Sequence, residues 1–283
     1  MKSPKEIALD EKILGMLSGK PLKAAELMLK DKETQCLQNY ANTVSIKRLG
    51  YNDHGPVHMR KVVMNAVAMA DLLNKAGIKL NLEKEDAGSF EDSKIAVMLA
   101  SFLHDIGMSV GREKHENAAA ILAVPILDRL LSQIYRDKGD RNRNEKDRSG
   151  KNVTDKRVTV RSMAIEGILG HMGAQKIESL EAGIILIADG CDMEKGRARI
   201  PMIIKESEMG KAGDIHKYSS SSIQKVTIER GKEKPIKITV EMDSPVGFFQ
   251  VEEVLLKKIN SSPVKPHIEL FAGVTGQKMK CYL

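Results

Sequence analysis

A nearly all-apolar run, Lys94 to Leu103 (KIAVMLASFL), ends abruptly in His104-Asp105, followed by Ile106-Gly107. A run with no polar face reads as a helix buried on all sides. Ionisable side chains at the end of such a helix need compensation, because unpaired buried charge is costly. A divalent cation compensates both, since carboxylate oxygen and imidazole nitrogen are good ligands. Alone, His-Asp is a weak signal and reads more readily as a satisfied core histidine beside a helix-terminal aspartate. The other histidines shift that balance. His58 shares a helical face with Val62, Ala66, Met69 and Leu73 and so points at the core. His54 sits four residues earlier, ahead of Gly55-Pro56, either in solvent or on the turn above His58. His171 lies on the face of Val160, Ala164 and Ile168. Asp189 ends the apolar run Ile184–Ala188 and shares a face with Ala182, Ile185 and Leu186, where a carboxylate needs a partner. Asp192, one turn on, is expected to be more exposed. Lys195, Arg197 and Arg199 follow, as a solvated helix end or as cations for a phosphate.

These residues must be carried by helices. Residues 1–50 read as N-terminal helices: one stripe through Ile7, Ile13, Leu14 and Leu17, then a single long helix from Pro21 through residue 42. Gly55-Pro56 starts a helix running to about Lys75. Residues 78–93 form a polar connection, with Ser93 expected to cap the central helix. His115 begins another helix, with a kink or break expected at Pro125. Residues 136–157 hold nine basic and five acidic residues and almost nothing apolar, which predicts a flexible basic loop. Helix resumes at 158–171 and again around Asp189. After a linker at 201–221 the period changes to two: IQKVTIER and PIKITVEM, joined by GKEKP, predict a β-hairpin. Gly247–Asn260 reads as a helix and HIELFAGV as a third strand. The expected architecture is mainly α over residues 51–200, with a small C-terminal α+β (β-β-α-β) domain over 222–283.

The 283 residues carry a net charge of +7 and lack tryptophan, so the core is aliphatic, with methionine filling gaps. The basic balance favours anionic partners such as phosphate esters or nucleic acid. Three cysteines, Cys36, Cys191 and Cys281, have no CxxC spacing, which suggests a reducing compartment and no cysteine metal site. The opening MKSPKEIALDEK has no apolar signal core, and no apolar run approaches a membrane span; a cytoplasmic location is expected.

In this order, His58, His104-Asp105 and Asp189 resemble the H…HD…D pattern of the HD-domain superfamily of metal-dependent phosphohydrolases. The likeness covers roughly residues 50–200. It implies an HD-type helical bundle in which His58, His104, Asp105 and Asp189 bind one divalent metal. Some branches hold a second metal through additional histidines, and His115 and His171 occupy comparable positions. The implied cofactor is one or two divalent ions per chain, with Mn, Fe, Zn, Mg and Ni not distinguished. His54-Gly-Pro-Val-His58 also resembles the paired histidines of cyclic-nucleotide phosphodiesterases, in which the earlier histidine protonates the leaving group. His54 is thereby expected to be catalytic or a ligand. Asp105 would both hold metal and orient the nucleophile. Met108 stands where the HD-GYP type has lysine, and no GYP element is present, which argues against a cyclic dinucleotide.

The resulting expectation is a hydrolase acting on a phosphorylated small molecule, a nucleotide or a relative of one. Lys195, Arg197 and Arg199 would neutralise the phosphate. One alternative is a nucleotide-binding regulatory module in which the C-terminal unit transmits the state of a metal site. Another is an RNA phosphodiesterase, ranked last because few aromatic residues are available for stacking. The strand edges of the C-terminal unit offer a surface on which two copies could pair as a homodimer.

Overall fold

The computed structural model describes residues 2–135, 153–194 and 219–283. The protein is mainly helical, with a small mixed sheet near its C-terminal end. Helix α1 (Pro4–Gly15) opens with a reciprocal capping box between Ser3 and Glu6. The long helix expected after Pro21 is two, α2 (Gly19–Lys30) and α3 (Lys32–Thr43). Asp31 leaves helical geometry and its carboxylate accepts from the Thr34 amide at 2.8 Å, so it ends one helix and caps the next. Pro56 starts α4 (Pro56–Lys75), and a short α5 (Asn81–Lys84) interrupts the polar connection.

Helix α6 (Phe90–Leu103) is the centre of the bundle. Every residue from Asp92 to Leu103 is buried, and the helix packs against α2, α4, α8 (Val153–Gly170) and α9 (Leu180–Cys191). Its cap is Ser89, paired with Asp92, rather than Ser93. Ser93 lies one turn inside and its hydroxyl donates to buried Glu181 at 2.7 Å. That carboxylate also accepts from the Asn81 and Leu82 amides at 3.0 and 3.1 Å, a buried charge met by donors.

Helix α7 (His115–Ile134) runs through Pro125 without a break. Among the described residues α7 is the one helix long and apolar enough, by length and composition, to cross a membrane, and one face of it, through Ala119, Ala123, Ile126 and Leu130, is buried in the core. The basic stretch 136–157 is helical at its end, since α8 begins at Val153, and Lys156 is buried beside Asp92. Residues 136–152 lie outside the described residues, as does most of the linker at 201–221.

The C-terminal sheet has the order β1-β2-β3-β4: β1 (Ile223–Arg230) antiparallel to β2 (Ile236–Met242), β2 parallel to β3 (Ile268–Val274), β3 antiparallel to β4 (Lys280–Cys281). The crossover from β2 to β3 passes through short helical turns and a π-type turn at Val251–Leu255 into α10 (Leu256–Asn260). The hairpin, helix and third strand stand where their patterns predict; β4, two residues long, is added. One apolar cluster runs from Ile13 through the bundle to Ala272 of the sheet.

Candidate metal centre

His104 ends α6 and Asp105 follows in a turn, both buried. The turn Ile106–Ser109 brings α7 back onto it at Gly107. A β-carbon there would fall on the His115 carbonyl oxygen and the Ala119 amide, so glycine is what lets the first turn of α7 approach. His115 thereby reaches Asp105. His58 comes from the first turn of α4, His171 from just beyond α8, and Asp189 from the last turn of α9.

The six side chains meet around Asp105. Its Oδ2 is 3.3 Å from His58 Nε2 and 3.4 Å from His104 Nε2. Its Oδ1 is 3.1 Å from His115 Nε2 and 3.4 Å from His171 Nε2. On the first side, His58 Nε2 stands 3.2 Å from His104 Nε2 and 3.2 Å from Asp189 Oδ1. On the second, His115 Nε2 stands 3.2 Å from His171 Nε2. Two groups, His58 with His104 and Asp189, and His104 with Asp105 and His171, each keep their ligand atoms within 4.8 Å of one another. These buried groups could hold a metal ion. Ligands about 2.1 Å from a common ion stand about 3.0–3.4 Å apart at octahedral or tetrahedral angles, which is the spacing of the pairs above, while His104 Nε2 and Asp189 Oδ1 stand wider at 3.8 Å.

Protonation supports the fit. His104 Nδ1 donates to the Ser101 carbonyl at 2.9 Å, His115 Nδ1 to Arg112 at 3.0 Å and His171 Nδ1 to Ile168 at 2.7 Å. His58 Nδ1 donates to the Asp192 carboxylate at 2.7 Å. A carbonyl only accepts, so Nδ1 is a protonated nitrogen, and a ring in its neutral form turns the Nε2 lone pair inward. Lone pairs facing across 3.2 Å repel unless a cation or proton lies between them. Outer partners on Nδ1 are the usual way a protein orients metal-binding imidazoles. Burial, reinforced by the neighbouring His104, pushes His171 down to about 4 against the pull of Asp105, so the ring is neutral near pH 7. Burial alone would raise the Asp105 carboxyl, but His104, His54 and a hydrogen bond from His115 hold it well below the usual range. His115 is shifted upward: its hydrogen bond to Asp105 and the charge there outweigh burial.

His54 is buried rather than in solvent. Its Nδ1 lies 2.7 Å from the Asn52 carbonyl and 2.9 Å from Ser45 Oγ, and its ring centroid is 6.0 Å from that of His58. Neither group of ligand atoms includes it. Asp192, expected to be more exposed, is buried. Besides His58 it takes Lys61 Nζ at 2.9 Å, and Lys61 also reaches Glu194 at 2.9 Å. Lys195, Arg197 and Arg199 lie outside the described residues. The sequence reading missed Lys258 of α10, which donates to Asp189 Oδ2 and, at 2.9 Å, to the His171 carbonyl.

The fold and site define a helical protein enclosing a buried histidine–aspartate cluster that could hold a metal ion. The chain is 37% identical over 270 residues, 95% of each chain, to "Uncharacterized protein MJ1020" of Methanocaldococcus jannaschii, and it belongs to the family of that archaeal protein. No family model matches the chain, and no solved structure matches it.

Proposed function

We propose that the protein is a metal-dependent phosphohydrolase of the HD type, hydrolysing a phosphate ester of a nucleotide or a related small molecule. The observation that carries this reading is Asp105, which presents one carboxylate oxygen to each half of the cluster. His58, His104, Asp105 and Asp189 would hold one divalent ion, and Asp105, His115 and His171 a second. Bound there, such ions supply Lewis acidity and a nucleophilic oxygen near neutral pH. The residues do the rest. Asp105, ionised across the physiological range, orients the attacking water. As that oxygen bonds to phosphorus and gives up a proton to solvent, the ester P–O bond breaks, and the departing oxygen takes a proton from His54, which solvent then restores. The Nδ1 of His54 is anchored to Asn52, which leaves Nε2 to carry the transferred proton.

The test is elemental analysis of purified protein together with turnover on a phosphoester panel supplied with Mn²⁺, Mg²⁺, Fe²⁺ or Zn²⁺. An Asp105→Ala protein keeping full metal content and full activity would contradict the reading. A second reading, a nucleotide-binding regulatory module, is favoured by the contact of the C-terminal unit with Asp189. Tight nucleotide binding with no turnover on any ester would select it.

A further inference from the structure

We infer that Lys258, carried by the C-terminal α+β unit, is a phosphate-binding residue of the metal centre. The assignment rests on the phosphohydrolase reading and names the cation that meets the anionic substrate.

The ammonium donates to Asp189 Oδ2 and to the His171 carbonyl, one residue from each half of the cluster. An ammonium has three N–H donors, and among the described residues two of the three are engaged. His58, His104, Asp105, His115 and His171 are at most 2% exposed, whereas Asp189 is 7% and His54 8% exposed. The Lys258 side chain, 12% exposed, stands beside Asp189, the least buried of the six candidate ligands. A phosphoryl oxygen arriving there meets the third N–H of Lys258 at close range in a poorly hydrated place, where a charge-assisted hydrogen bond is strong.

The packing that delivers Lys258 is built into α9. A β-carbon on Gly190 would lie 3.0 Å from Lys258 Cδ, and one on Gly183 would lie 2.6 Å from Ser262 Oγ and 2.9 Å from Val264. Two glycines seven residues apart share one face of a helix. That face of α9 is therefore the bed on which the C-terminal unit lies, and the aliphatic stem of Lys258 runs over it. The neighbouring Lys257 is largely exposed and pairs with Glu253.

A cation beside Asp189 opposes a metal ion in its vicinity and attracts an anion. Loss of the lysine charge is therefore expected to leave metal binding as tight or tighter while weakening phosphate. Structural damage would instead weaken both. The experiment is calorimetric titration of Co²⁺ into metal-free protein, then of inorganic phosphate into Co²⁺-loaded protein, for wild type, Lys258→Met and Lys258→Arg. Lys258→Met is expected to bind phosphate at least about 10-fold more weakly, with Co²⁺ stoichiometry and affinity undiminished; Lys258→Arg is expected to recover most of the loss. Unchanged phosphate affinity in Lys258→Met overturns the assignment, as does a loss matched by loss of Co²⁺. Wild-type protein that binds Co²⁺ but no phosphate overturns the assignment and the hydrolase reading together. Phosphate binding that depends on Lys258, without ester turnover, removes the hydrolase reading alone.

Discussion

His115 and His171 face each other with their Nε2 atoms 3.2 Å apart, while each Nδ1 is already bound to a backbone carbonyl. With Nδ1–H committed, two rings in their neutral form cannot donate to each other. Asp105 Oδ1, within reach of both, supplies negative charge but no proton. A second proton on His115, which Asp105 favours, or a metal ion resolves the arrangement, and binding a metal would stabilise the folded state over an unfolded chain that lacks the site. Metal-free protein titrated with a divalent ion to about 100 times its dissociation constant should gain about 2.7 kcal/mol. For a chain of this size the midpoint should rise by about 5 °C or more in a thermal melt. If none of Mn²⁺, Fe²⁺, Zn²⁺, Mg²⁺ and Ni²⁺ moves the midpoint, the cluster is not a metal centre.

Asp192 tests the outer layer. Its carboxylate fixes His58 through Nδ1 and is itself held by Lys61. Burial would lower the Lys61 ammonium, but the charge of Asp192 and the bonds to it raise its pKa, which keeps the lysine charged. Asp192→Asn keeps the shape and removes the charge that would make His58 a stronger metal ligand. Removing such a partner costs about 10–100-fold in metal affinity. Calorimetry should show the weakening in the half containing His58 and leave the His115 and His171 half as it was. Equal affinity for both ions in variant and wild type would show that Asp192 has no part in orienting His58.

The contrast between Asp192 and Asp189 shows what could be read in the sequence. Asp189 lies inside α9, where the period of 3.6 residues assigns its face; the same arithmetic brings His58 and His171 inward. Asp192 lies just past Cys191, where the chain leaves the helix with ψ of 65°, so extrapolating the helical angle gives the wrong environment. Lys258 had no signal in its own segment. It sits in a Lys-Lys pair on a short helix, and which of the two is buried depends on how the C-terminal unit lies on α9. Asp31 misled for a local reason. An aspartate is tolerated within a helix, and only its carboxylate turned onto Thr34 marks the break. Strand β4 is too short for any alternation to show.

Acid should unfold the metal-free protein through His171. In the folded state this ring sits at about 4, below its ordinary 6.5. Between those values the unfolded chain binds more protons, so stability is full above about pH 6.5 and falls as pH drops towards about 4. At 1.36 kcal/mol per unit the loss approaches about 3 kcal/mol. His115 acts in the opposite sense: raised when folded, it contributes most below its unfolded value, and that contribution fades as pH rises. Urea unfolding of metal-free wild type and His171→Asn, from about pH 7 to about pH 4.5, separates the two. The wild type should lose stability across that range and the variant much less. Parallel curves would mean that His171 is not the group titrating.

Gly107 offers the sharpest test of how the site is positioned. Its missing β-carbon is the space taken by the His115 carbonyl oxygen and the Ala119 amide. Both are backbone atoms, which cannot rotate aside as a side chain can. Gly107→Ala must push the first turn of α7 away from the His104-Asp105 turn, at a cost of about 1–3 kcal/mol or more for an overpacked contact. Gly111, close by in sequence, has nothing within 4 Å of its would-be β-carbon, so Gly111→Ala is the matched control. The alanine at 107 should lower the melting midpoint well below that of the control. In the protein that still folds, the displaced His115 should cost the second equivalent in a Co²⁺ titration before the first, because His58, His104 and Asp189 do not depend on α7. Equal stability and equal Co²⁺ binding in the two variants would show that α7 does not set the distance between His115 and Asp105.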